Sequence, residues 1–153
     1  MTGSVLPFPN IVELFDLKQK LHVYLNSYGC GKKKPYDAEM DRAFNELFHD
    51  QFVHGMDGER SLDKRQMREI VKMFMSAGTA ADVVLFKPLE EELTFEVKLH
   101  ITNKLGEWHT HSRGTIRDGQ LIRLEAYDEE AKDTYRKWQV LSELYSKVQG
   151  MRA

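Results

Sequence analysis

Two places in this chain gather side chains able to move protons or hold a metal ion. Residues 106–128, GEWHTHSRGTIRDGQLIRLEAYD, carry His109, His111, Arg113, Arg123, Glu125 and Asp128 in one short span, and His54 closes the segment QFVH. An imidazole has an ordinary pKa near 6.5, which suits general acid-base work at neutral pH. Three imidazoles on one surface could instead ligate a metal ion. An arginine two residues from a glutamate can orient that carboxylate. Which chemistry applies depends on which side chains share a face.

The span alternates with period two, and Asp118-Gly119 is a hairpin turn signal. A two-residue turn there pairs Arg117 with Gln120, and carried on without interruption it pairs Gly114 with Arg123, Ser112 with Glu125 and Thr110 with Tyr127. A turn over residues 103–106 pairs Thr102 with Glu107, Ile101 with Trp108, Leu99 with Thr110 and Val97 with Ser112. One face then holds Leu93, Phe95, Val97, Leu99, Ile101, Trp108, Ile116, Leu121 and Tyr127, with Thr110, Ser112, Arg123 and Glu125 among them. Helices should cover this face, because its removal from water is worth about 25 cal/mol per Å². The other face carries Glu96, Lys98, His100, His109, His111, Arg113 and Thr115 beside Ile122, Leu124 and Ala126.

In this register His100 and His109 stand opposite each other with His111 two residues on. Lys98, opposite His111, would put a cation beside any bound ion, so the expectation is no metal. Arg123 and Glu125 on the otherwise apolar face are costly unless compensated. They mark either a site or a satisfied ion pair at the edge of the core.

The elements that position these residues follow from periodicity. Asn10 with Glu13 reads as a capping box ahead of Leu14, Leu17, Leu21, Tyr24, Leu25 and Tyr28, a helical stripe that Gly29 stops. Asp37 can cap a second helix bearing Met40, Phe44, Leu47 and Phe48. Residues 51–54 read as a short strand, and the turn GMDGERS follows. Ser61 can cap a third helix bearing Met67, Ile70, Val71, Phe74 and Met75, ending near Gly78. Strands are expected over residues 82–88, 93–101, 108–117 and 121–127. A last helix over residues 129–148 sets Tyr135, Trp138, Leu141, Leu144, Tyr145 and Val148 near one side.

With 153 residues, 41% of them hydrophobic, the chain fits one domain, residues 1–153, with a flexible start over residues 1–9. Cys30 is the single cysteine, so no internal disulfide or cysteine-rich zinc site is available. Twenty-two Lys and Arg against 24 Asp and Glu give a net charge of -2, without the positive excess that nucleic acid rewards. Lys32-Lys33-Lys34 lacks the spacing of a phosphate loop. No secretory leader and no apolar run near the ~20 residues of a membrane span are evident, so neither nucleic acid nor membrane is an expected partner, and a cytoplasmic location is expected.

Three helices, a short strand among them, then a bent antiparallel meander whose last hairpin reads IRDGQLIRLEAYD resemble the nuclear transport factor 2-like superfamily, its SnoaL-like and ketosteroid-isomerase-like members in particular. DQFVHGMDGERSLDKRQMREIVKMF, a strand, glycine turn and helix in succession, carries the rest of the match, which covers Ile11 to about Asp128. The resemblance implies an α+β cone: a curved antiparallel sheet of about four to five strands closed by three N-terminal helices, with a C-terminal helix added. It implies an interior pocket and homodimerisation. Arg123-x-Glu125 resembles the Arg-x-acid pair of limonene epoxide hydrolase-like members. The carboxylate base of the isomerases falls near His54 and Gly55, where no Asp or Glu occupies residues 52–56, leaving His54 as the base.

The resulting expectation is a lyase, isomerase, cyclase or hydrolase acting on a small hydrophobic or carbonyl-bearing ligand without metal or organic cofactor. His54 and Glu125 would exchange protons, Arg123 would orient Glu125, and Tyr24, Thr110, Ser112 and Tyr127 would hydrogen-bond the substrate. Phe52, Phe95 and Trp108 would shape the pocket. The alternative is a non-catalytic ligand-binding or assembly module. A homodimer is expected through the second sheet face, burying Ile122, Leu124 and Ala126, with Glu96 opposite Arg113 as a cross-strand pair.

Overall fold

The computed structural model describes residues 8–28, 31–55 and 61–152. The elements run α1 (Phe8–Asn26), α2 (Ala38–Leu47), β1 (Phe48–Gly55), β2 (Leu62–Asp63), α3 (Lys64–Ser76), β3 (Ala80–Pro88), β4 (Thr94–Asn103), β5 (Gly106–Arg117), β6 (Gln120–Ala126) and α4 (Glu129–Arg152). Gly29, Cys30 and most of the GMDGERS turn lie outside the described residues, as do the side chains of Asn10 and Tyr135.

Local chemistry explains most boundaries. The Asp37 carboxylate accepts from the Met40 amide at 2.9 Å and starts α2. Asp63, rather than Ser61, caps α3: it accepts from the Gln66 amide while the Gln66 side chain accepts from the Asp63 amide, each at 2.9 Å. Ser61 precedes the two-residue strand β2, which hydrogen-bonds to β1. Helix α1 begins two residues before Asn10, and Pro9 fits its first turn because the proline nitrogen has no proton to leave unsatisfied. Asp118 and Gly119 have φ of 55° and 74°, the paired positive values of the tight turn joining β5 to β6.

The six strands among the described residues form one sheet in the order β2-β1-β6-β5-β4-β3. Its pairs are antiparallel except β1 with β6, which is parallel, so the sheet is mixed where an antiparallel one was expected. The β4–β5 register follows the expected pairing along its whole length, from Thr94 with Thr115 to Asn103 with Gly106. Helices cover one face of the sheet. Leu17, Met40, Phe44, Leu47, Ile70, Met75 and Phe95 are each at most 1% exposed there. Phe44 stacks on Phe48, Phe74 on Trp108 and Phe86 on Phe95, with centroids 4.6, 5.6 and 4.6 Å apart. Trp138 of α4 meets Phe74 edge-on at 5.0 Å. Leu144 and Val148, expected on the packed side of α4, are exposed, while Trp138 and Ser142 are buried.

The β5–β6 pair departs from the expected register. Ile116 faces Leu121 as expected, but Thr115 faces Arg123, so Ile122 is an extra residue on β6. Beyond this bulge every side chain changes face. Leu124 and Ala126 pack against the core. Arg123 and Glu125 stand on the outer face with Thr115 and Arg113, and Tyr127, expected inside, is 47% exposed. The aliphatic strand invoked for a homodimer therefore lies on the inner side. Glu96 does face Arg113, but Glu96 binds His111 and Arg113 binds Glu91.

Gly114 lies where β5 passes over Phe95. A Cβ added there would meet the Phe95 ring at 2.2 Å, a contact that only displacement of the ring out of its stack with Phe86 would relieve. Gly114→Ala should cost about 1–3 kcal/mol in urea denaturation. The double variant with Phe95→Leu should recover part of that loss; a strictly additive pair of losses would show that the crowding is elsewhere.

Candidate functional site

Between the helices and the sheet lies a cavity of about 80 Å³. Leu17, Leu21 and Tyr24 of α1, with Tyr28 in the turn just after it, form one wall. Val97, Thr110, Leu121 and Leu124 face them from β4, β5 and β6, and Trp138 of α4 lines the cavity as well. Leu124 reaches it only because of the bulge at Ile122. Among the described residues, the hydroxyl-bearing ones of the lining are Tyr24, Tyr28 and Thr110, and no carboxylate, histidine or lysine belongs to it.

Tyr24 and Tyr28 act as a pair. Four residues apart in sequence, their rings meet edge-on at 5.5 Å and the Tyr28 hydroxyl donates to the Tyr24 hydroxyl at 3.0 Å. Burial pushes both phenols well above their ordinary range, and for Tyr24 the neighbouring Tyr28 adds to the effect. Both stay neutral at physiological pH. Tyr24 accepts one hydrogen bond and keeps its own proton to donate, a donor that Tyr28 polarises.

His54 is fully buried on β1, in register with Leu62 of β2 and Leu124 of β6. Burial lowers its pKa to about 3, and a backbone hydrogen bond pulls weakly the other way. Its ring is therefore neutral at physiological pH, and it does not line the cavity. Phe52, Trp108 and Ser112 are buried on the inner side without lining it, whereas Phe95 and Thr110 do line it.

Arg123 and Glu125 stand on the opposite side of the sheet from His54. Arg123 Nε lies 2.9 Å from Glu125 Oε1, with the two side chains 57% and 41% exposed. The guanidinium extends over Gly55 of β1, where an added Cβ would approach it to 3.4 Å. The expected set of His54, Arg123 and Glu125 is thus divided by the sheet. The bulge is the cause, and the pair is a solvent-facing ion pair rather than a charge buried in the core.

The outer face sorts its histidines into two groups. His111 lies between two carboxylates, Nε2 at 2.5 Å from Glu96 and Nδ1 at 3.1 Å from Asp128, and stacks on Tyr127 with centroids 4.3 Å apart. Asp128 also accepts from the Ala131 amide at 2.9 Å, which caps α4 and is the larger reason that its carboxyl sits below its ordinary range, His111 being the next. Tyr127, expected to contact a substrate, belongs to this outer cluster. His100 and His109 stack on each other beside Glu107, apart from His111, so the three imidazoles do not converge. Sequence reasoning placed Tyr28 in the helical stripe without a functional role; its spacing of four from Tyr24 was the available signal. Leu124 could not be found without the bulge.

No protein-family model matches the chain, and no curated protein matches it in sequence. Solved structures match its fold. A designed NTF2 fold protein, NT-9, aligns with a TM-score of 0.53 at 11% identity over 79% of this chain and 91% of that one. An NTF2-like protein of unknown function from Exiguobacterium sp. 255-15 aligns at 0.52 and 16% identity over 72% and 95%. A protein named as a SnoaL-like polyketide cyclase from Jannaschia sp. CCS1 aligns at 0.50 and 11% identity over 78% and 90%. At these identities the likeness establishes the fold.

The state of His54 can be measured. Because its folded pKa of about 3 lies below the ~6.5 of an unfolded chain, the unfolded state binds more protons between those values. The folded state therefore loses stability as pH falls through that window, by up to ~1.4 kcal/mol per pH unit from this group. Carbon-detected NMR should show no titration of the His54 ring from pH 8 to about 5, and His54→Leu should flatten the acid limb of a stability-pH curve. A His54 ring that titrates near 6.5 would overturn the assignment of a neutral buried imidazole.

Proposed function

We propose that this NTF2-like chain binds a small, mostly apolar molecule carrying a single hydroxyl or carbonyl oxygen in its interior cavity. The observation that carries this reading is the composition of the cavity wall: hydrocarbon side chains with the Tyr24–Tyr28 hydroxyl pair and Thr110 among them. In such surroundings an oxygen gains a hydrogen bond from Tyr24, and the rest of the molecule gains by leaving water. The cavity is well below the ~300 Å³ at which sites for drug-sized ligands begin, so a compound of few carbon atoms fits it best.

The same wall favours binding over proton-transfer catalysis. Neutral tyrosines donate hydrogen bonds at physiological pH without serving as bases, and among the described residues the lining supplies no carboxylate or imidazole to take a proton. A SnoaL-like name attached to a protein of similar fold does not transfer its chemistry, because function on this scaffold resides in the pocket residues. Homodimerisation remains a proposal resting on the family resemblance.

Titration with butanone and butanol, followed by methyl NMR, should shift Leu17, Leu21, Val97 and Leu124, with dissolved butane binding more weakly. Tyr24→Phe should remove the advantage of the oxygen-bearing ligands, worth about 1 kcal/mol or some fivefold in affinity. Shifts absent from these methyls, or an oxygen preference that survives Tyr24→Phe, would refute the reading.

A further inference from the structure

The outer face holds a group of side chains that the cavity does not involve. His100 of β4 lies directly opposite His109 of β5, and Glu107, two residues before His109, points from the same face. His100 Nε2 lies 3.0 Å from one Glu107 oxygen and His109 Nε2 lies 3.8 Å from the other. The imidazoles are nearly parallel, 10° apart with centroids separated by 4.6 Å, and one ligand atom from each of the three residues falls within 4.8 Å of the others.

We propose that His100, Glu107 and His109 form a site for a divalent transition-metal ion, zinc by preference. Two imidazoles and one carboxylate are a donor set that suits this ion, with bonds of ~2.0–2.2 Å, and three protein ligands leave a fourth position for water or an anion. The side chains are 34%, 62% and 61% exposed in the order His100, Glu107, His109; His100 Nε2 itself is covered, so side-chain rotation must uncover it as the ring of donors closes on an ion. Antiparallel pairing holds the two histidine backbones in place before any ion arrives, which reduces the ordering that binding requires.

The electrostatic surroundings favour a cation at this point. Asp82 of β3 is in register with His100 on its other side and adds a carboxylate to the same row. Lys98, the objection to a site built from three histidines, stands one pair further along, opposite His111. There the carboxylates of Glu96 and Asp128 flank His111 and offset the lysine charge. Replacing His111 by Glu107 in the ligand set moves the ion away from Lys98 and supplies a negative ligand. A bound ion would also tie β4 to β5 beside their connecting turn, and it should raise the melting temperature.

Isothermal titration of the untagged, metal-stripped protein with zinc chloride should give one ion per chain. His100→Asn, His109→Asn and Glu107→Gln should each weaken binding at least about tenfold, while His22→Asn should not. Circular dichroism would confirm that each variant is folded. Should one not fold, cobalt(II) added to the wild-type protein should broaden the NMR signals of the His100 and His109 rings before those of His22. Absence of zinc binding, binding unchanged in any folded variant of the three, or equal broadening of His22 would overturn the site.

Discussion

The organisation of this molecule depends on one extra residue in a strand. Ile122 is the residue of β6 with no counterpart on β5, and from that point to the end of the strand inside and outside are exchanged. Without it, Arg123 and Glu125 would be driven among aromatic and aliphatic side chains at a cost of several kcal/mol per ion. With it, Leu124 and Ala126 complete the apolar layer, and the ionic pair lies in solvent against the backbone of β1. The parallel pairing of β1 with β6 reinforces the arrangement, because Val53, His54 and Gly55 align with Arg123, Leu124 and Glu125 in turn. His54 thereby shares the side of Leu124, and Gly55 leaves space for the guanidinium.

Two chemically distinct sides result. The inner side carries polar groups that stay neutral: the tyrosine hydroxyls, Thr110, Ser112 and His54, all in surroundings that penalise charge. The outer side carries charged groups paired between strands and the segments that flank them, from Arg113 with Glu91 to His111 with Glu96 and Asp128. His111 also links the sheet to α4, since Asp128 both meets its ring and caps that helix. A neutral interior lends itself to recognition by shape and one hydrogen bond. The charged exterior lends itself to ions.

The sequence made the α+β fold and most of its elements legible because the signals were local. Period-two alternation located β4 and β5, the Asp118-Gly119 turn set the start of the last hairpin, and the four-helix count followed from apolar stripes. The faces of β4 and β5 came out as expected for the same reason: no residue is inserted between their turn and Thr94. What stayed hidden depended on non-local partners. Nothing in QLIRLEA marks Ile122 as a bulge, since the choice depends on whether Leu124 or Arg123 is the better neighbour for α1 and β1. The parallel pairing of β1 with β6 likewise forms between segments distant in sequence, and β2, two residues long, is too short to show a period. The bulge moves Arg123, Glu125 and Tyr127 off the face on which they were expected, whereas Tyr24 and Thr110, placed by uninterrupted periodicity, line the cavity.

The register of β6 is therefore the quantity to measure, and cross-strand nuclear Overhauser effects report it directly. Contacts linking Thr115 with Arg123, Gly114 with Leu124 and Arg113 with Glu125 are the result this account predicts. Contacts linking Gly114 with Arg123 and Ser112 with Glu125 would contradict it, returning the ionic pair to the inner face beside His54.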